Sequence, residues 1–392
     1  MSIENGFIGS NRSPSLLHLK RRDFLAGALT TACAVTTGMA TARTVFASSG
    51  QLQPPPRQNV LSAMRKVNDY WINQHASPGI NNWVYATYYS GDLAAYATTG
   101  DQRYLNYALA WARQNNYGLS GGNTTRNANA QASGQVYLSL YQLSKDPSSI
   151  AQITTDIQRM VNSPKSNDWW WIDALNMAMP CFAQLGALYK DNTYYAKMYA
   201  LYNYTKSIDG GSGLYDTNTH LWFRDSSFLP PYTSPKGKNV YWSRGNGWVF
   251  AAHAKVLAVL PTAEAHYQEY VNTFKSMAAA LRNVQRSDGF WNVDLGDPQD
   301  FPGPETSGTA FFVYGMAWGL NKGILDRATY LPVVTRAWNA LVTTAIQPDG
   351  SLGYVQATAD RPSSGQPVTA QSTAAYGVGA FLLAGQQVAM LV

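Results

Sequence analysis

Apolar residues recur along most of this chain at the three- and four-residue intervals typical of helices, and alternating runs long enough for a sheet do not occur. A short strand at 220–225, HLWFRD, is the best exception. The pattern therefore predicts an all-α fold. The predicted helices span about 58–74, 83–98, 102–115, 130–143, 147–161, 169–189, 192–206, 245–259, 263–283, 307–321, 328–345 and 372–390.

These twelve helices alternate between two kinds. The even-numbered helices are more apolar and richer in Gly and Ala, as in SGTAFFVYGMAWGL, whereas the odd-numbered ones carry charge along one face, as in HYQEYVNTFKSMAAALRNVQ. Apolar helices belong in an interior and amphipathic helices outside it. Six of each in alternation predict a single-domain (α/α)6 barrel of six helical hairpins. A two-layer helical solenoid is the alternative.

Aspartates mark the starts of several odd-numbered helices. Asp101, Asp146 and Asp191 are 45 residues apart, and each follows a helix stop. Aspartate accepts hydrogen bonds from the free N–H groups of a first helical turn, so each is predicted to cap an outer helix. The spacing fits one helical hairpin with its loops.

Residues 1–47 have the features of an export signal. An Arg-Arg pair at 21–22 precedes an apolar run at 24–35 that contains no acid, and VFA at 45–47 offers a cleavage site. The pair resembles a twin-arginine signal. We therefore predict an exported, periplasmic protein. A short membrane anchor is the alternative, although the run is short for a membrane span.

Residues 48–57 are predicted to be a proline-rich linker and 58–392 to be the barrel domain. The five basic and two acidic groups of 1–47 account for +3 of the net charge of +6, which leaves +3. No Lys/Arg run follows residue 47, so nucleic acid is not an expected partner. Cys181 is the one cysteine after that point, and no His/Cys cluster has ligand spacing, so we expect no disulfide, metal or cofactor. We expect no stable membrane association, and no feature indicates an oligomeric state.

The loops that would enter the inner helices are long and aromatic, whereas those that leave them are short. Because all inner helices would start at one end of the barrel, their first turns predict a shared mouth, where helix dipoles favour anions. The residues predicted there are Trp83, Asn129, Trp171, Asp173, Arg244, Trp248, Glu305, Thr306 and Gln371. Aromatic side chains around a few polar groups are typical of ligand sites and suit sugars. The alternative is that Trp171, Trp222, Trp242 and Trp248 only fill a large core.

Asp173 stands out in the stretch DWWWIDALNMAMP because it is a carboxylate among apolar residues. Burial raises the pKa of a carboxyl, which suits a general acid at neutral pH. A structural aspartate bonded to loop N–H groups is the alternative.

Two further motifs are open to two interpretations. In YWSRGNGW, Arg244 suits a planar carboxylate, or it holds loop carbonyls. In FPGPETSGTAFF, the segment from Glu305 is either an N-cap for the tenth helix, or Thr306 and Ser307 also line the mouth.

WIDALNM, WSRGNGW and GPETSGTAFF occur in this order, and from about residue 60 onward the chain resembles the unsaturated rhamnogalacturonyl hydrolases of glycoside hydrolase family 105. These are related to the unsaturated glucuronyl hydrolases of family 88. The resemblance implies an (α/α)6 barrel that removes a 4,5-unsaturated uronic acid from the non-reducing end of lyase-generated pectic oligosaccharides. An aspartate would protonate C4, water would add at C5, and the hemiketal would open. This chemistry needs no pair of carboxylates and no cofactor.

The resemblance also implies residue roles. Asp173 is the expected acid/base, and Trp171, Met177, Arg244 and Trp248 are expected substrate contacts. From the residues themselves we add as expected substrate contacts Asn129, Trp222, Arg224, Trp242, Glu305, Thr306 and Ser307. The chain departs from the family at two of these positions. Arg224 stands where a histidine is frequent, and Asn129 stands where many members have an aspartate in a D-x4-G pattern.

Two alternatives to this function remain. One is an inverting hydrolase of saturated oligosaccharides that uses Asp173 with Glu305 or Asp225. The other is a catalytically impaired sugar-binding relative that lost activity through Asn129.

Overall fold

A computed structural model describes residues 53–391, so the predicted export signal and the first part of the linker lie outside the described residues. Twelve α-helices confirm the all-α prediction: α1 Arg57–Gln74, α2 Trp83–Thr99, α3 Gln102–Gln114, α4 Ala128–Ser144, α5 Ala151–Val161, α6 Asp173–Tyr189, α7 Asn192–Ser207, α8 Ser243–Leu257, α9 Tyr267–Asn283, α10 Thr306–Asn321, α11 Arg327–Ala340 and α12 Ala375–Val388. The strand predicted at 220–225 is wrong. That segment forms only isolated bridges, which pair Tyr215 with Trp222 and Trp171 with Asp225.

The even-numbered helices form a closed ring. Each packs against the next in chain order from α2 to α12, and α12 returns to pack against α2. The odd-numbered helices cover this ring, with α3, α7, α9 and α11 each on the helix that precedes it and α1 on α2 and α12. Because the first and last inner helices meet, the fold is an (α/α)6 barrel and not an open solenoid.

Two glycines make the closure of the ring possible. A Cβ added to Gly91 of α2 would lie 2.3 Å from the carbonyl oxygen of Gly379 in α12, and a Cβ on Gly379 would lie 2.2 Å from the carbonyl oxygen of Thr87. Any side chain at either position would collide with backbone, which cannot yield as a flexible side chain can. Glycine is therefore required where these helices cross.

At the end of the barrel opposite the mouth, the predicted caps of outer helices are confirmed for Asp101 and Asp191, whereas Asp146 caps the short 3-10 helix Pro147–Ile150 that precedes α5. Asp101, Asp146 and Asp191 each accept a hydrogen bond from the backbone N–H two residues later, at 2.9–3.0 Å. The residue before each aspartate, a glycine or a lysine, is left-handed with φ between 54° and 74°. These short turns connect inner to outer helices, so the long loops collect at the other end.

One helix boundary matters for the site. The helix predicted from residue 169 begins at Asp173, because the Ile172 N–H donates to the carbonyl of Arg224 at 3.0 Å and Trp171 bridges to Asp225. The three consecutive tryptophans therefore lie in the loop that enters α6. Asp173 is the first residue of the helix.

Membrane-spanning helices and metal-ligand clusters are both absent from residues 53–391. No helix there is long and apolar enough to cross a membrane. No group of three His, Cys, Asp or Glu side chains in that range is placed to hold a metal ion.

Candidate active site

Asp173 lies at the mouth of the barrel and is only 8% exposed. Its Oδ2 atom has no hydrogen-bond partner, and Nε of Arg224 lies 3.4 Å from it. Burial raises the pKa of Asp173 above its usual range, although Arg224 and Arg244 pull that pKa down. The side chain is therefore biased toward the protonated form that a general acid requires.

Arg224 is anchored at one end and free at the other. Its Nη1 donates to Oδ2 of Asp225 at 2.7 Å, and Asp225 is held in turn by the backbone N–H and hydroxyl of Ser227 at 2.9 and 2.5 Å. The Nε atom of Arg224 has no hydrogen-bond partner. The guanidinium carbon lies 6.0 Å from the ring centroid of Trp170, within the range of a cation–π contact.

The three tryptophans before α6 have different environments. Trp169 is fully buried and packs edge-on against Phe182, with 5.5 Å between ring centroids. Trp171 is 6% exposed, whereas Trp170 is 52% exposed and lies 4.7 Å from Trp171 between ring centroids. The sequence favoured Trp171 as the sugar-facing ring. The structure places Trp170 at the rim as the larger accessible indole surface, with Trp171 behind it.

Arg244 is completely buried between the rings of Trp242 and Tyr376, at 4.6 and 4.7 Å from their centroids. Its Nη1 donates to the carbonyl of Gln356 at 2.8 Å, and its Nη2 donates to that of Ala357 at 2.9 Å. Of the two interpretations of this arginine, the structure matches the one in which it holds loop carbonyls. The expected bidentate contact with a substrate carboxylate is not supported, because the two terminal nitrogens are already engaged.

Glu305 caps α10 and is fully buried. Its carboxylate accepts from the Ser307 N–H at 3.0 Å, the Ser307 hydroxyl at 2.6 Å, the Gly308 N–H at 2.6 Å and the Gln356 N–H at 3.2 Å. The Thr306 hydroxyl donates to the carbonyl of Gly353 at 2.8 Å. The expectation that Glu305, Thr306 and Ser307 contact substrate is not supported, because these buried groups are used to join α10 to the loop before α12.

The other predicted contacts also lie behind the surface of the mouth. Trp222 is buried and its indole N–H faces the sulfur of Met277 at 3.2 Å. Trp248 packs against Trp83 and Phe311, with ring centroids 6.1 and 4.4 Å away. For these side chains the structure matches the core interpretation, since almost none of their surface is accessible. The set comprises Met177, Trp222, Trp242 and Trp248.

Asn129 is the second residue of α4, the inner helix that packs against α6. It is half-buried, and its side-chain amide makes no hydrogen bond to the described residues, although its backbone N–H bonds to Asn127 at 2.9 Å. The amide is therefore available to a sugar hydroxyl. It cannot take up a proton as the aspartate frequent in related proteins could.

Gln356 organises the loop above the mouth and was not predicted from the sequence. Besides its backbone contacts with Arg244 and Glu305, its side chain accepts from the Trp242 indole at 2.8 Å and donates to the carbonyl of Ser364 at 2.6 Å. The segment YVQATAD resembles no motif. The only signal was a glutamine after the apolar residues Tyr354 and Val355, which is too common to identify a site.

Comparisons with known proteins agree on one group. The family model described as Glycosyl Hydrolase Family 88 matches residues 58–392. The chain is 32% identical over 330 residues to a Formosa agariphila protein named "Unsaturated 3S-rhamnoglycuronyl hydrolase", covering 79% of this chain and 85% of that protein.

Solved structures give the same picture. One described as a polysaccharide lyase has 37% identity and a TM-score of 0.81, covering 85% of this chain and 97% of the other. A glycosyl hydrolase family 88 protein from Bacteroides vulgatus has 34% identity and a TM-score of 0.82, covering 86% of this chain and 100% of the other. The family match extends over α2 to α12 and every site residue described above.

Proposed function

We propose that this chain, which belongs to glycosyl hydrolase family 88, removes a 4,5-unsaturated uronic acid from the non-reducing end of oligosaccharides. The reaction is hydration of the C4=C5 vinyl ether. The observation that carries the proposal is the carboxyl of Asp173 at the mouth, which keeps one oxygen without a hydrogen-bond partner.

Three carboxyls were candidates for the chemistry. Those of Asp225 and Glu305 have both oxygens engaged in hydrogen bonds with the protein. Asp173 alone of the three keeps an oxygen without a partner. An inverting or retaining glycosidase needs two carboxyls that flank the scissile bond and are free to act. One free acid therefore supports vinyl-ether hydration over the inverting alternative.

The reaction follows from the position of one proton. Asp173 donates its proton to C4, so that the positive charge develops at C5 beside the ring oxygen. A water molecule adds at C5 and returns a proton to the Asp173 carboxylate. The net change is addition of one water to the double bond. The C5 hemiketal then opens to a ketone, and the hemiacetal left at C1 releases the next sugar as an alcohol, with no further net change in the protonation of Asp173.

Rhamnose is the sugar that we propose next to the uronic acid. The name of the Formosa agariphila relative refers to rhamnose, and so does the name of the family that the sequence resembles. Trp170 offers an exposed indole face for that sugar. A depression of about 740 Å³ begins at Ser226, directly after Asp225, and Ser227 and Tyr232 also line it. We place the following sugar units in this depression because it adjoins Asp225.

The test is to incubate the protein with lyase-generated unsaturated disaccharides whose second sugar is rhamnose, O3-sulfated rhamnose or glucose. We expect the ultraviolet absorbance of the C4=C5 bond to disappear with a rhamnose substrate, and Asp173→Asn to abolish the loss. Absorbance that persists with all substrates would contradict the proposal. New absorbance from an intact polysaccharide would indicate a lyase, and new reducing ends without absorbance loss would indicate the inverting alternative.

We also propose that residues 1–47 direct export to the periplasm, where oligosaccharides from external lyases would arrive. The expected result of replacing Arg21 and Arg22 by lysine is retention of the protein in the cytoplasm on cell fractionation. Unchanged periplasmic recovery would refute the twin-arginine assignment.

A further inference from the structure

We propose that Arg224 recognises the carboxylate of the terminal uronic acid through the edge that carries Nε and that, by pairing with that carboxylate instead of with Asp173, it lets Asp173 keep its proton. This inference rests on the proposed function and assigns the anion-binding residue of the same site.

Two polar atoms at the mouth have no hydrogen-bond partner. Nε of Arg224 and Oδ2 of Asp173 face each other at 3.4 Å, yet neither atom makes a hydrogen bond. Buried polar groups are nearly always paired, so each unpaired one requires an explanation. A carboxylate that enters the mouth would supply the acceptor that the guanidinium lacks.

Arg224 is held in position to receive a ligand. Its Nη1 is fixed on Asp225, and its backbone carbonyl accepts from the Ile172 N–H at 3.0 Å. Trp170 lies across the guanidinium at 6.0 Å. Only the edge that carries Nε is without a partner. A guanidinium fixed along one edge loses little freedom when it binds an anion along the other.

Several charged groups face Asp173 or its partner Arg224. These are Arg224 and Asp225 from the segment before α8 and Arg244 from α8, while Asp360 is close enough to interact with Arg224. In the free protein, Arg224 opposes protonation of Asp173. A substrate carboxylate paired with Arg224 would neutralise that cation and bring a second negative charge near Asp173, and both changes favour the protonated acid. Substrate binding would therefore favour the protonated form of Asp173 that donates the proton.

Arginine at this position also predicts a pH range. A histidine, frequent here in the resembled family, is a cation only below its pKa of about 6.5. Arginine keeps its charge throughout. This chain would therefore still bind the uronate carboxylate in neutral and alkaline solution, where a neutral histidine would not.

The experiment compares Arg224→Gln and Arg224→His with the parent, using an unsaturated disaccharide and its methyl ester. We expect Arg224→Gln to raise KM for the acid roughly ten- to a hundred-fold and to remove the preference for acid over ester. Arg224→His should show a KM that rises as pH passes about 6.5. Retention of the parent's acid-over-ester preference in Arg224→Gln would overturn the proposal.

Arg361→Gln is the matched control. Arg361 is also paired with the aspartate that adjoins it, Asp360, through two hydrogen bonds of 2.8 Å, and it lies close enough to Asp225 for their charges to interact. Its removal should change KM by less than about twofold, since exposed charges act weakly at a distance. An equal effect of both substitutions would assign the anion preference to overall charge and refute a specific role for Arg224.

Binding separates this inference from the proposed function. If the parent consumes no unsaturated substrate, the function is wrong, whatever Arg224 does. Calorimetric titration of the acid and the ester into Asp173→Asn, with and without Arg224→Gln, then measures recognition of the carboxylate by itself. Equal affinity for acid and ester in Asp173→Asn would refute the inference. Circular dichroism confirms that each variant is folded.

Discussion

Replacement of Glu305 by alanine tests whether this buried carboxylate is part of the framework or part of the chemistry. The side chain caps α10 and binds the loop that also holds Arg244. Alanine would leave the N–H groups of Ser307, Gly308 and Gln356 without an acceptor in a buried place. The framework interpretation predicts a large loss of stability, with activity lost only as a consequence.

The size of the loss follows from the contacts. Each hydrogen bond to a charged group contributes about 1.5–3 kcal/mol, but water that enters the vacated space would satisfy part of the exposed donors. We therefore expect the free energy of unfolding to fall by about 3–5 kcal/mol, near the upper end for single substitutions. Asp326 provides a matched control, because it caps α11 from an exposed position through the Thr329 N–H at 2.8 Å. Asp326→Ala should cost only about 1 kcal/mol.

Urea unfolding followed by circular dichroism measures both values, and Glu305→Gln, which retains one acceptor oxygen, should lie between parent and Glu305→Ala. A loss below about 1 kcal/mol in Glu305→Ala, together with abolished turnover, would refute the framework interpretation. It would instead support the inverting alternative, in which Glu305 acts as a base.

Four other predictions concern the mouth. Because burial raises the pKa of Asp173, kcat/KM should fall as pH rises through that pKa. Ionisation of Asp173 also destabilises the fold, so Asp173→Asn should raise Tm at pH values above that pKa. This gain in Tm should vanish at pH values below the pKa that the aspartate has in the unfolded chain. Asn129→Asp should change the pH–rate profile by adding a titrating group, and an unaltered profile would exclude contact with the reaction. Trp170→Ala should raise KM about tenfold with little change in Tm, as expected for an exposed sugar platform. Trp222→Phe should do the reverse, lowering Tm by several degrees with KM unchanged, because the indole is in the core.

The barrel was predictable because burial is recorded in local composition. The segment of α10 is apolar on every side, and in the structure every residue from Thr306 to Leu320 is buried. The outer helices carry their apolar residues on one face, and their aspartate caps are local signals that need no knowledge of the rest of the chain. Ring order then follows from the alternation of the two kinds.

The environments of identical residues were not predictable. Trp169, Trp170 and Trp171 are adjacent, and their exposures differ because the loop is pinned by the carbonyl of Arg224. Likewise Arg244 is committed to the carbonyl of Gln356, which is 112 positions away. Such long-range pairings leave no periodic trace, so the sequence singled out Asp173 as the candidate acid but did not show which of its neighbours are exposed and which are buried.

The meeting of α2 with α12 has a consequence for how the protein is synthesised. A ribosome synthesises α2 long before α12, so the backbone around Gly91 has no partner in α12 until all the helices between them have been made. Tyr376, which packs on Arg244, arrives equally late. The nascent chain thus carries apolar inner helices without a closed ring, a state that invites aggregation or chaperone binding. A stop codon before residue 375 would yield a product whose ring of inner helices is not closed, because α12 is missing.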